Sequence, residues 1–104
     1  MKYITKTEIS TVIQSTIPVL LEFRSFECPA CLKAENFIQV LDKAYIGKLL
    51  NYVIDVDLDI QQMFSVSKVP LFVLFKHGKE ITRITGFSNE IEFEKNLRIA
   101  LKSC

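Results

Sequence analysis

Residues 18–31 read PVLLEFRSFECPAC, a nearly continuous apolar run that leads into two cysteines three positions apart. An apolar run without alternation is typical of a strand that is covered on both faces. We therefore expect Pro18 to Arg24 to form the central strand of a sheet. Because helical spacing follows from Ala34 onward, Cys28 and Cys31 are predicted to lie where this strand gives way to a helix.

The predicted position of the cysteine pair favours an ionised sulfur. Unpaired backbone N–H groups and the helix dipole stabilise negative charge at the amino end of a helix, and the thiolate is the form of cysteine that attacks disulfides. Cys28 is therefore predicted to be the nucleophile, and Cys31, one turn further on, the more buried resolving cysteine. The redox group is then the Cys28–Cys31 disulfide itself, with no bound cofactor.

Metal binding is the alternative use of such a pair, since two close cysteines also begin many zinc sites. Completing a zinc site requires His77 and Cys104, which lie in a predicted turn and at the last position without ligand-like spacing. We expect no metal, and Cys104 is expected to be a free thiol. Alternating acids at residues 55, 57 and 59 are more typical of a solvated strand end than of a cation site.

The remaining pattern predicts an α/β fold in one domain spanning residues 1–104. A mixed central sheet, parallel in its first half and closed by an antiparallel hairpin, has helices on both faces. Further strands are predicted at Tyr52–Asp57, Leu71–Lys76 and Lys79–Thr85. Helical segments are predicted from about Lys6 to Ser15, from Ala34 to Tyr45 before Gly47, from Ile60 to Phe64, and after a cap at Ser88 or Asn89, with Phe93, Leu97, Ala100 and Leu101 facing inward.

Composition and charge narrow the possible partners. Thirteen Lys and Arg against twelve Asp and Glu leave a net charge of +1, spread without a basic block, so nucleic acid is not expected as a partner. No window has the roughly 20 apolar residues that span a bilayer, and the amino terminus lacks a secretory pattern. We expect a cytoplasmic monomer that does not bind membranes, unless a leader has been removed.

The order of features along the chain resembles the thioredoxin family. A strand, a C-x-x-C pair at a helix start, a long helix, a second strand, Val69-Pro70 and a hairpin with His77-Gly78 at its turn cover nearly the whole sequence. The resemblance implies a thioredoxin fold and a thiol-disulfide oxidoreductase that acts on protein disulfides. It also implies recycling by an NADPH-dependent thioredoxin reductase or a similar reductant.

The same resemblance assigns substrate-binding residues. Pro70 matches the family's cis-proline opposite the dithiol, and the backbone of Val69 could then pair with an extended substrate. A trans proline at the start of an edge strand is the alternative. An apolar surface that serves as a substrate groove or as a docking site is expected around Phe26, Val69, Leu71 and Phe87.

Glu22 occupies the place of the family's buried aspartate, which is thought to relay protons to the resolving cysteine. Burial in an apolar strand raises a carboxyl pKa, which suits a proton shuttle. An ion pair with Arg24, on the same strand face, is the alternative. Asp55 is placed where thioredoxins usually have lysine, so it is expected to raise the pKa of Glu22 further unless Arg24 supplies the missing cation.

The residues around the cysteines depart from the family's pattern. Glu27 stands where thioredoxins usually have Trp, and Pro29-Ala30 replaces Gly-Pro. These three residues, together with Asp55, are expected to tune the redox potential. Glu27 either opposes the Cys28 thiolate or points into solvent. Two other functions remain open: a glutaredoxin-like enzyme that uses glutathione, since Pro follows the first cysteine, and a thioredoxin-fold binding module that acts by docking.

Overall fold

The central element of the computed structural model, which describes residues 2–104, is a five-stranded mixed sheet. Its strands are β1 (Lys2–Tyr3), β2 (Val19–Arg24), β3 (Leu50–Asp55), β4 (Leu71–Lys76) and β5 (Lys79–Thr85). They lie in the order β1-β3-β2-β4-β5. Strand β2 is parallel to β3 and antiparallel to β4, and β4 forms the hairpin with β5.

Four helices connect and cover the strands. They are α1 (Ile9–Val12, after a 3₁₀ turn at Lys6–Glu8), α2 (Pro29–Ala44), α3 (Leu58–Phe64) and α4 (Glu90–Lys102). A parallel pair requires a crossover connection, which α2 supplies between β2 and β3. Asn89 caps α4, because its side-chain oxygen accepts the N–H of Glu92 at 2.9 Å.

The sheet separates two apolar cores, as the sequence predicted. Every residue of β2 is buried, which explains why its apolar residues run without alternation. Leu20 and Phe72 face one core, which is filled from α2 by Ala34, Phe37, Ile38 and Leu41 and from α4 by Phe93, Leu97 and Ala100. Leu21, Phe23 and Val73 face the other core, where Ile9 and Ile60 pack. The prediction of a mixed sheet with helices on both faces is confirmed.

Several element boundaries differ from the prediction, and one strand was not predicted. The first helix ends at Val12, and the carbonyls of Ile13 and Ser15 accept hydrogen bonds from Gly78 and His77 in the hairpin turn. Because these carbonyls accept long-range hydrogen bonds, they are not available for hydrogen bonds within a longer helix. Strand β3 runs from Leu50 to Asp55, and β1 at the sheet edge was not predicted.

Residues 56–59 leave the sheet for a local reason. The side chain of Asp57 accepts the N–H of Ile60 at 2.8 Å and so caps α3. A residue that caps a helix has left the strand ladder, so the predicted strand end at Asp57 is wrong by two residues. Lys6 forms ion pairs with Asp57 and Asp59 at 3.0 and 2.9 Å and ties the 3₁₀ turn to this cap.

Candidate redox site

Cys28 and Cys31 are joined by a disulfide, with their Cα atoms 5.2 Å apart. Cys28 caps α2, and its Sγ accepts the backbone N–H of Cys31 at 3.1 Å. Pro29 occupies the first position of the helix, where no N–H is needed for the helical ladder. Cys28 is 8% exposed and Cys31 only 2%, so Cys28 carries the more accessible sulfur.

This geometry favours a thiolate at Cys28 once the disulfide is reduced. The sulfur then lies at the positive end of the helix dipole and keeps one N–H donor directed at it. Both effects favour the charged form of a thiol. The site therefore has the chemical properties that disulfide exchange requires at its first step.

A buried ion pair lies on β2, on the sheet face that α2 covers. The guanidinium of Arg24 donates to both carboxylate oxygens of Glu22, at 2.9 and 3.2 Å, and to the hydroxyl of Tyr3 at 2.9 Å. The guanidinium carbon also lies 5.5 Å from the centre of the Tyr3 ring, a cation–π contact. The ion pair that was the alternative for Glu22 is present.

Burial is the main influence on the Glu22 carboxyl, and it raises the pKa. The hydrogen bonds and the charge of Arg24 lower the pKa, whereas the negative charge of Glu35 on α2 raises it. The Glu22 pKa is therefore raised, as the sequence predicted, and burial is the cause. The role of Glu22 as a proton shuttle stays a prediction.

Asp55 was expected to raise the pKa of Glu22 unless Arg24 supplied a cation, and Arg24 does supply it. In the parallel register, Val53 lies opposite Glu22 and Asp55 lies opposite Arg24. Asp55 is exposed at the strand end, and the acid that raises the pKa of Glu22 is Glu35. Sequence alone does not set the offset between two parallel strands that are joined by a long crossover. Glu35 was missed, although it lies one helical turn after Cys31.

A cavity of about 520 Å³ opens beside the disulfide. It brings together Phe26, Glu27 and Asp55, which the sequence singled out, with Tyr3, Arg24 and Leu32, which it had not linked to binding. The complete lining is Tyr3, Arg24, Ser25, Phe26, Glu27, Cys28, Cys31, Leu32 and Asp55. No pattern in the sequence indicated Tyr3, because β1 is only two residues long.

The residues predicted to bind substrate around Pro70 lie elsewhere. The Val69–Pro70 peptide bond is cis, and the Pro70 carbonyl accepts the N–H of Gly86 at 2.8 Å. Phe87 is only 9% exposed, and its ring packs 5.7 Å from those of Phe37 and Phe93. Phe26 lines the cavity beside the disulfide, whereas Val69, Pro70, Leu71 and Phe87 do not. Substrate contacts at Val69, Pro70 and Phe87 stay predictions.

Three of the four residues predicted to tune the redox potential lie at the start of α2. Glu27 is exposed and has a left-handed backbone with a φ of 57°, Pro29 is exposed and Ala30 is half-buried. Cys104 is an exposed free thiol whose sulfur lies 3.6 Å from the Ala100 carbonyl. Within residues 2–104, no three His, Cys, Asp or Glu side chains are grouped to hold a metal ion, and no helix is long and apolar enough to cross a membrane.

Comparisons with known proteins agree with this geometry. A family model described as Thioredoxin matches residues 1–98. Thioredoxin M3, chloroplastic, from Oryza sativa subsp. japonica is 35% identical over 78 residues, covering 72% of this chain and 44% of that protein. Thioredoxin from Alicyclobacillus acidocaldarius subsp. acidocaldarius is 23% identical over 101 residues, covering 95% of this chain and 96% of that protein.

The fold itself matches solved structures. Thioredoxin from Malassezia sympodialis superposes with a TM-score of 0.84 at 20% identity, covering 96% of this chain and 92% of that chain. The predicted thioredoxin fold is therefore confirmed. The chain spans less than half the length of the rice relative.

Proposed function

Because this chain belongs to the thioredoxin family, we propose that it is a protein disulfide reductase that works through Cys28 and Cys31. Membership of this family, together with a cysteine pair at disulfide distance, supports thiol-disulfide oxidoreductase activity in general. The observation that carries the finer proposal is the Cys28 sulfur, which caps α2 and accepts the N–H of Cys31. A substrate disulfide can approach it through the adjoining cavity.

The proposed reaction has two exchange steps. The Cys28 thiolate attacks one sulfur of the substrate disulfide, forming a mixed disulfide and releasing the substrate's other sulfur as a thiolate. Cys31 then loses its proton and attacks the Cys28 sulfur, which breaks the mixed disulfide and releases the second substrate thiolate. Two electrons reach the substrate, and the Cys28–Cys31 disulfide forms. An external dithiol must reduce it before the next cycle.

Glu22 is the proposed acceptor of the proton that Cys31 loses. It is a buried acid with a raised pKa on the sheet face that α2 covers, and this supports the assignment. Its ion pair with Arg24 opposes protonation, because the incoming proton must compete with the guanidinium for the electron pairs of the carboxylate oxygens. We expect Glu22 to accelerate the second step without being essential to it.

Substrate and partner assignments complete the proposal. An extended substrate segment pairs with the backbone of Val69 beside cis-Pro70, while Phe26 contributes exposed apolar surface. The chain acts as a single domain and as a monomer in the cytoplasm, and an NADPH-dependent reductase recycles it. In that arrangement, flavin and nicotinamide belong to the reductase.

Insulin reduction driven by dithiothreitol tests the proposal. Cys28→Ser should abolish turnover. Cys31→Ser, reduced and then freed of dithiothreitol before insulin is added, should accumulate a mixed disulfide with the substrate that non-reducing gels detect. Cys104→Ser is the matched control, because it removes a thiol outside the pair, and it should keep full activity. Full turnover in Cys28→Ser would refute the assignment of the nucleophile. Turnover that requires glutathione would instead indicate the glutaredoxin-like alternative.

A further inference from the structure

The cavity beside the disulfide and the Pro70 loop lie on opposite sides of β2. In the sheet order, β3 and β1 follow β2 on one side, and β4 follows on the other. Tyr3 on β1 and Asp55 at the end of β3 line the cavity, whereas Pro70 directly precedes β4. A partner that reaches the sulfurs can therefore contact the protein on two separate surfaces.

Part of the cavity rim is apolar and exposed to solvent. Tyr3 is 53% exposed, Phe26 is 90% exposed and Leu32 is 64% exposed. Apolar side chains that cluster at an exposed concave surface mark a place where another molecule binds. Because both cysteines line the same cavity, such a molecule is held within reach of the exchange chemistry.

The charge that the cavity presents to a partner is negative. The guanidinium of Arg24 is already matched by the Glu22 carboxylate beneath the surface. Asp55 and Glu27 are exposed carboxylates at the rim, and neither forms an ion pair or hydrogen bond with another residue in the part of the chain the structure describes. A cationic side chain is the complement of this rim.

Building on the proposed function, we propose that this cavity docks a partner segment with an apolar side chain next to a lysine or arginine, close to the partner's reacting cysteine. The apolar side chain fills the space between Tyr3, Phe26 and Leu32. The cation lies against Asp55 and Glu27. The site adds selectivity among disulfide substrates that backbone pairing beside Pro70 does not supply, because backbone groups are common to all peptides.

Four synthetic peptides test the proposal. Each carries one cysteine in a mixed disulfide with 2-mercaptoethanol, preceded by Leu-Lys, Leu-Glu, Ala-Lys or Ala-Glu. Dithiothreitol recycles the protein, and kcat/KM is measured for every peptide. The Leu-Lys peptide should be reduced most efficiently, and Asp55→Lys should reduce its advantage over Leu-Glu by about tenfold, since like charges then meet at the rim.

A matched charge reversal controls for net charge. Glu80 lies on β5 opposite Phe75, at the end of the sheet remote from the cysteines, so Glu80→Lys should keep the wild-type ratio. Leu32→Ser should lower kcat/KM for the leucine peptides relative to the alanine peptides. In 1 M salt the Lys-over-Glu preference should shrink, because the screening length falls from about 8 Å at physiological ionic strength to about 3 Å.

The outcomes separate the docking site from the activity on which it rests. Reduction of all four peptides with equal kcat/KM, or a lysine preference that survives Asp55→Lys, would overturn the docking site alone. Absence of turnover with every peptide would overturn the proposed function and the docking site together. A lysine preference that Asp55→Lys abolishes and Glu80→Lys retains supports the site.

Discussion

Arg24→Met should destabilise the protein far more than the loss of an ordinary surface ion pair. The side chains of Arg24 and Glu22 are 6% and 2% exposed, and two hydrogen bonds of 2.9 and 3.2 Å join them. Breaking a buried pair leaves the carboxylate charged and unpaired, which costs about 3–5 kcal/mol. Domains of this size are stable by only about 5–15 kcal/mol, so the variant folds with little margin.

Urea denaturation of the oxidised protein, followed by far-ultraviolet circular dichroism, measures this loss. With a slope of about 2 kcal/mol per molar urea, a loss of about 4 kcal/mol lowers the midpoint by roughly 2 M. Arg83→Met is the control, because Arg83 and Glu80 form a similar pair with side chains 31% and 39% exposed. An exposed pair contributes at most about 1 kcal/mol.

The loss in Arg24→Met should depend on pH in a defined direction. Arg24 is the group that lowers the Glu22 pKa against the effect of burial, so removing it raises this pKa further. A carboxyl whose pKa is higher in the folded state stabilises the fold while protonated, and this contribution disappears as pH rises through the folded-state pKa. The destabilisation should therefore be small in acid and largest at neutral and alkaline pH.

Two results would refute this reasoning. One is a loss at pH 7.5 no larger than that of Arg83→Met, and the other is a loss that does not change with pH. The double variant Glu22→Leu/Arg24→Met guards against a simple failure to fold. It removes both charges, so it should recover most of the stability that Arg24→Met loses.

Three further changes test other parts of the structure. Glu22→Gln should slow insulin reduction without abolishing it and should alter the pH–rate profile, whereas an unchanged profile would count against the proton shuttle. Asp57→Ala should lower the unfolding midpoint more at neutral pH than in strong acid. The N–H of Ile60 and the charge of Lys6 hold the Asp57 pKa below its usual range, and protonation weakens both interactions. Equal losses at both pH values would contradict this. Gly78→Ala should cost about 1–2 kcal/mol in urea denaturation, because the φ of 79° is left-handed and an L side chain rarely adopts it. The added Cβ would also displace the flexible end of the Gln14 side chain. An unchanged midpoint would contradict the strain argument.

The sequence predicted the parts of the fold that follow from local rules. A continuous apolar run identified β2 because burial on both faces leaves no reason for polar residues to alternate. Helical spacing identified the buried face of α2, and the position of Cys28 before that helix predicted a sulfur at its amino end. These properties depend on neighbouring residues in the chain.

Properties that depend on pairing between strands far apart in the chain could not be predicted from local sequence patterns. The offset between β2 and β3 decides whether Glu22 lies opposite Val53 or Asp55, and no local pattern specifies it. Strand β1 has too few residues for periodicity, so the contact between Tyr3 and Arg24 could not be predicted. The cavity beside the disulfide depends on both features.

The hydrogen bond from the Cys31 N–H to the Cys28 sulfur makes this amide a natural reporter of the catalytic cycle. The proton points at an atom that is neutral in the disulfide and negatively charged in the thiolate. Its NMR resonance should therefore shift between the oxidised and reduced forms and follow the ionisation of the thiol. A single backbone signal would read out both the oxidation state and the charge without any label at the site.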